Sequence, residues 1–317
     1  MNISEMLTPS NEELFFKRGD QNDVRLGEIV PFNKYESSDI VILGCPQDEG
    51  VTRNQGRGGA ALAPAAIRRE FYKLTPFGIT KNICDAGNIT IQDSLEATHD
   101  TQAKIVSQIL GDGKTLIVLG GGNDISYPDG AAMANAFGAE NWIAINIDAH
   151  FDVREAAERN SGTPYRLLLE EKLLRPDYFY EVAFQTEYAS PVYYRYLRNL
   201  GVNLLSLEQL RDKDSPDSHM REAVRNKFIH HSQSLNAFFG FDLDAVRASD
   251  APGTSVPSPV GLQSGEFLNL VTYAGNLVNT KLIEFTEVNP NFDIDNRTTK
   301  LVAVAMHRFC VAKSSKI

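Results

Sequence analysis

Trp142-Ile143-Ala144-Ile145-Asn146-Ile147 leads directly into Asp148-Ala149-His150-Phe151-Asp152, and this stretch says most about how the chain folds. Six largely apolar residues without polar alternation predict a strand buried on both faces, as in a parallel sheet. Behind it, two carboxylates and an imidazole occupy alternate positions. Extended backbone points residues i, i+2 and i+4 the same way, so Asp148, His150 and Asp152 are expected to converge. A second run, Ala237-Phe238-Phe239-Gly240-Phe241, ends in Asp242-Leu243-Asp244 with the same alternation. Four carboxylates and one imidazole at two strand tips are a donor set for hard or borderline divalent cations, two of them by the number of donors.

Working outward, further apolar runs of strand length lie at 40–43, 116–119, 202–205 and 282–285. Helices are predicted between them over 64–72, 95–110, 165–174, 192–200, 216–231, 264–278 and 296–312. Such alternation predicts one mostly parallel sheet covered on both faces, in a single domain over 1–317 with 1–35 as a peripheral extension. Ligands of open α/β sheets bind beyond the carboxyl ends of the strands, where the aspartates and Gly120-Gly121-Gly122 fall. The glycine run lacks the GxGxxG spacing of a dinucleotide site; its expected use is close backbone approach to the metal cluster.

Composition narrows the function. A hydrophobic content of 42% supports a large core, and no stretch reaches the roughly 18 uninterrupted apolar residues of a membrane span. A formal charge of −10 argues against nucleic acid or an anionic membrane as partner. The first residues show no basic segment followed by an apolar one, so a cytoplasmic location is expected. Cys45, Cys84 and Cys310 are scattered and unpaired in spacing, as buried small hydrophobes would be. Among the histidines, His307 is expected as a hydrogen-bonded core or interface residue, His230 and His231 at a helix end, and His99 and His219 in polar helical stretches without a constellation.

Four segments, in this order, resemble the ureohydrolase superfamily, the arginase and agmatinase group. They are Gly120-Gly121-Gly122-Asn123-Asp124, Asp148-Ala149-His150-Phe151-Asp152, Asp242-Leu243-Asp244 with Asp250-Ala251-Pro252-Gly253-Thr254, and Glu287-Val288-Asn289-Pro290. The resemblance implies an arginase-like three-layer α/β/α sandwich, two Mn²⁺ ions and hydrolysis of a guanidine or amidine C–N bond. It also implies a homo-oligomer. Val51 to Ala60 and Ser161 to Tyr165 are similar to the branch that converts N-formimidoyl-L-glutamate to L-glutamate and formamide. No histidine lies between His150 and His219, which separates the chain from arginases themselves.

By this resemblance Asp148 and Asp242 bridge the ions, His150 and Asp244 complete one site, and Asp152 belongs to the other. Asp152 also takes a proton from the attacking water, and Glu287 holds the amidinium. The substrate's dianionic tail calls for guanidinium forks. Arg154 is the leading candidate, with Arg53, Asn54, Arg57 and Arg166 nearby. The chain departs from the pattern at Asn123, where the family has a histidine ligand. An amide oxygen is the weaker donor toward Mn²⁺, so this site is expected to be weak or empty unless Asp124 substitutes. Two alternatives stand beside the amidine hydrolase: a guanidine hydrolase of agmatinase or arginase type, and a non-catalytic protein on the same scaffold.

Overall fold

A computed structural model describes residues 3–211 and 218–315. Its nine strands are β1 (Leu7–Thr8), β2 (Ile40–Gly44), β3 (Ile83–Ile89), β4 (Thr115–Leu119), β5 (Trp142–Ile147), β6 (Phe179–Phe184), β7 (Asn203–Ser206), β8 (Asn236–Asp242) and β9 (Thr280–Thr286). They form one sheet in the order β1-β3-β2-β4-β9-β8-β5-β6-β7, and β1 alone runs antiparallel to its neighbour.

Alternation along each strand feeds two cores. On β4, Ile117 and Leu119 join one and Leu116 and Val118 the other; on β5, Ile143, Ile145 and Ile147 separate in the same way from Trp142 and Ala144. Helices Ala63–Phe71, Ser264–Asn276 and Arg297–Ser314 cover the first face. Helices Leu95–Gly111, Ser126–Phe137, Pro164–Glu170 and Pro191–Leu200 cover the second. The result is the three-layer sandwich. The helix predicted from 216 appears as Ser218–Ser234, and the start of that prediction lies outside the described residues.

Three strands and a helix escape the apolar-run reading. β1 is only two residues long. β3 carries Asp85, Gly87 and Asn88, and β6 carries Glu181 between apolar neighbours. The helix Ser126–Phe137 contains Pro128 and Gly130 and is buried through most of its length, so it has little amphipathic pattern. The first 35 residues contribute Leu14, Leu26 and Val30 to the first core. Cys45, Cys84 and Cys310 are free and buried, and Trp142 is fully buried with its indole N–H donating to the Leu173 carbonyl at 3.1 Å.

What positions the site is the register of the four central strands. Leu119 pairs with Phe285, Phe285 with Phe241, and Phe241 with Ile147. β4, β9, β8 and β5 therefore end level, and the loops that follow them open at one rim.

Candidate metal centre and active site

Each loop at this rim delivers polar groups. Asn123 opens the short turn after β4, Asp242 is the last residue of β8, Asp244 lies in the turn after it, and Glu287 follows β9. β5 stops at Ile147, so Asp148, His150 and Asp152 do not share a face by strand alternation. They converge through loop backbone instead, with Asp152 in the left-handed region at φ 45°. Glu287 is also left-handed, at φ 61°. Such backbone is unfavourable for residues with a Cβ by about 1–2 kcal/mol each, and it is found where function fixes a side chain.

Two groups result, Asp148–His150–Asp244 and Asp148–Asp152–Asp242, each with donor atoms within 4.8 Å of one another. His150 Nδ1 lies 3.1 Å from Asp244 and 3.5 Å from Asp148. Asn123 Nδ2 is 2.6 Å from Asp152 Oδ2 and 3.4 Å from Asp148 Oδ2, while its backbone N–H donates to Glu287 Oε1 at 2.9 Å.

The electrostatics are lopsided. Burial, then the neighbouring carboxylates, pushes Asp152 and Asp242 well above the ordinary aspartate range. Burial also raises Asp244, against the pull of His150, and lifts Glu287 to about 8. His150 resists protonation through burial, yet Asp244 and Asp148 push it up to about 12. For Asp148, burial works upward, but the His150 contacts prevail and hold it low. One imidazolium cannot neutralise five carboxyls, four of them buried and Asp152 partly so, and Asp244 Oδ1 is buried with no hydrogen-bond partner. Carboxylate oxygens with a single imidazole suit Mn²⁺ better than a softer, thiolate-seeking ion. The residues fit a pair of divalent cations.

Above the cluster opens a cleft of about 180 Å³, lined by Asn54, Arg154, Ser161, Tyr188, Tyr193 and Ser255 among others. Arg154 is its only lysine or arginine among the described residues. Gly162 makes room for it: a Cβ there would meet Arg154 Cδ at 2.6 Å. Asn54 donates to Ser161 Oγ at 3.0 Å on the same wall.

The other predicted arginines are engaged elsewhere. Arg53 pairs with Glu49 at 2.7 Å and Glu96 at 2.6 Å, and Arg166 with Glu170 at 2.7 Å. Arg57 donates to the Ser255 and Thr254 carbonyls at 3.0 and 2.6 Å and stacks on Phe292, bracing the cleft wall. Asp124 points away from the cluster, accepting from Gln47 Nε2 at 2.5 Å and facing His99 Nε2 at 2.7 Å, so it does not replace a ligand. His99 is thereby corrected from a residue without a constellation to a buried partner of Asp124. The glycine run passes between the loop after β2 and the cluster: a Cβ on Gly121 would sit 1.5 Å from the Gln47 carbonyl oxygen, one on Gly122 would lie 3.4 Å from Glu287 Oε1, and the Gly121 carbonyl accepts from the Glu287 N–H at 2.9 Å. His307 bonds the Thr75 carbonyl at 2.9 Å, and His231 the Tyr180 hydroxyl at 2.7 Å.

The sequence reading missed a buried polar layer beneath the cluster: Asn146, Glu181, Glu284 and Asp129, all fully buried. Asn146, Glu181 and Glu284 each interrupt a run of apolar strand residues, a pattern that could have flagged them.

Fold and rim together define a member of the arginase family, and the chain belongs to it: residues 38–311 match that family. More particularly, the chain is 32% identical over 270 residues to the formimidoylglutamase of Staphylococcus carnosus, covering 84% of each protein. It is 30% identical over 275 residues to that of Staphylococcus aureus strain MSSA476, covering 86% of each. The crystal structure of Trypanosoma cruzi formiminoglutamase with two Mn²⁺ superposes with a TM-score of 0.84 at 32% identity, covering 93% of this chain and 100% of that one. No described helix is long and apolar enough to cross a membrane.

Proposed function

We propose that the chain hydrolyses N-formimidoyl-L-glutamate to L-glutamate and formamide, with two Mn²⁺ ions as cofactor. The observation that carries this reading is the junction of an over-acidic donor cluster with a cleft whose one guanidinium, among the described residues, is Arg154. Membership of the arginase family and likeness to proteins named formimidoylglutamase support it.

Asp148, His150, Asp242 and Asp244 would hold one ion. Asp148, Asp152 and Asp242 would hold the other, with Asn123 as a weak amide donor. Bound there, the ions supply Lewis-acid activation of water near neutral pH.

The remaining work falls to side chains. Arg154 binds a tail carboxylate bidentately, and Asn54 and Ser161 offer neutral donors beside it. Glu287 accepts hydrogen bonds from the cationic amidinium, whose charge offsets the burial that otherwise raises this carboxyl. That contact fixes the amidinium carbon over the nucleophile. Asp152 accepts the proton of the attacking water at a carboxylate oxygen. As the bond from carbon to the glutamate nitrogen breaks, Asp152 returns the proton to that nitrogen. The reading includes a homo-oligomeric, cytoplasmic enzyme, and sedimentation of the purified chain checks the assembly.

Formamide release from N-formimidoyl-L-glutamate in the presence of Mn²⁺ is the expected result. Urea from arginine or agmatine instead, or no turnover of any amidine, would overturn the proposal.

A further inference from the structure

Asn123 sits among hydroxyls whose protons do not add up as the carboxamide is placed. Its Oδ1 lies 2.9 Å from both Ser126 Oγ and Thr286 Oγ1. Ser126 Oγ also touches Glu284 Oε1, so one hydroxyl proton faces two acceptors. On the other side, the NH₂ lies 2.6 Å from Asp152 Oδ2, tighter than the usual range for a neutral N–H donor. All of these groups are buried or nearly so.

A half-turn of the amide settles the hydroxyl side and sets its oxygen against Asp152 Oδ2, two acceptors that only a cation between them reconciles. The NH₂ then gives one proton to Ser126 Oγ and one to Thr286 Oγ1, and Ser126 gives its own to Glu284. The oxygen takes the position beside Asp152 and Asp148, where a cation's ligand belongs. Glu284 is held in turn by its strand: a Cβ on the neighbouring Gly240 would meet Glu284 Oε1 at 3.0 Å and Tyr165 Oη at 2.8 Å, so glycine leaves this space to the polar side chains.

We infer that Ser126 and Thr286 are positioning residues that turn the Asn123 carbonyl oxygen toward one of the two Mn²⁺ sites, with Glu284 fixing the direction of the Ser126 hydroxyl. This rests on the proposed binuclear centre. It also accounts for an asparagine at this position: only an amide offers an oxygen on one side and two protons on the other.

The test is binding of Mn²⁺ alone to the full-length chain, followed by titration calorimetry and by the electron paramagnetic resonance of free Mn²⁺. The wild type is expected to bind two equivalents, one weaker. Thr286→Val and Ser126→Ala should each weaken only the weaker equivalent, by about 10-fold or more, as loss of an outer-shell partner does. Thr286→Ser, which keeps the hydroxyl, should restore it. In an Asn123→Ala background Thr286→Val should have no further effect. Unchanged affinities, equal weakening of both equivalents, or the same loss in the Asn123→Ala background would each overturn the inference. A wild type that binds no Mn²⁺ would bring down the functional reading instead, which keeps the two failures apart.

Discussion

Two buried charged clusters in this molecule differ in one respect. Beneath β2 and β3, fully buried Arg68 forms a two-pronged pair with Asp85, both contacts at 2.9 Å. It also donates to Asn88 Oδ1 at 2.7 Å and the Gly87 carbonyl at 2.8 Å, and Tyr72 adds its hydroxyl to Asp85. One cation meets one anion, and four guanidinium protons have partners. At the rim of β4, β9, β8 and β5, five carboxyls meet one imidazole. The first cluster is complete within the chain and needs nothing from outside. The second holds more carboxyls than its one cation can balance, in a place where water screens them little. Charge balance, rather than burial or the number of polar groups, separates the structural cluster from the one that binds.

That contrast can be broken most easily at Arg68. Arg68→Met leaves Asp85 buried without its cation, and unfolding free energy should fall by about 3–5 kcal/mol. Mn²⁺ binding by the remaining folded protein should be unchanged; loss of binding in parallel would show that the clusters are not independent. Next comes Asp242→Asn, expected to lower kcat/KM by more than about 100-fold, beyond the range that outer-shell changes reach. In chelator the same substitution should leave stability equal or higher, because it relieves like-charge repulsion. A large drop in chelated stability would contradict the charge-excess argument.

A smaller effect is expected from Arg154→Met, which should raise KM for N-formimidoyl-L-glutamate by about 10-fold, as loss of a surface-accessible charge-assisted contact does. It should move kcat little; a fall confined to kcat would place Arg154 in the chemistry rather than on the tail. The smallest change is with pH. Glu287, Asp152 and Asp242 have folded-state pKa values above their unfolded ones, so the folded state binds more protons and loses stability as pH rises. For Glu287 the window runs from 4.5 to about 8. In chelator the melting temperature should decline across it, and saturating Mn²⁺ should abolish or invert the decline. A flat profile in chelator would show that the carboxyls are not strained by one another.

The donor residues of the cluster were legible because apolar runs ending in alternate carboxylates are rare, and Asp148, Asp152, Asp242 and Asp244 do meet. The stated reason for their convergence was incomplete. Strand alternation ends at Ile147, and the left-handed turn at Asp152 completes the work. Sequence proximity misled for the arginines: Arg53 and Arg166 have carboxylates four residues away on their own helical turns, at Glu49 and Glu170. β6 was missed because Glu181 interrupts its apolar pattern, although the same residue is a mark of the buried polar layer. Asp124 and His99 could not be paired from sequence, since their contact depends on how one helix packs over a loop.

The place of β9 has a consequence for biosynthesis. Of the described strands it leaves the ribosome last, yet it lies between β4 and β8, in the middle of the sheet. Until residues 280–286 emerge and insert, Asn123 and Asp242 belong to two half-sheets with no shared edge. The five donors at and beyond the ends of β5 and β8 already share one half-sheet, so an ion can gather them early, whereas Asn123 joins them only when that strand closes the gap.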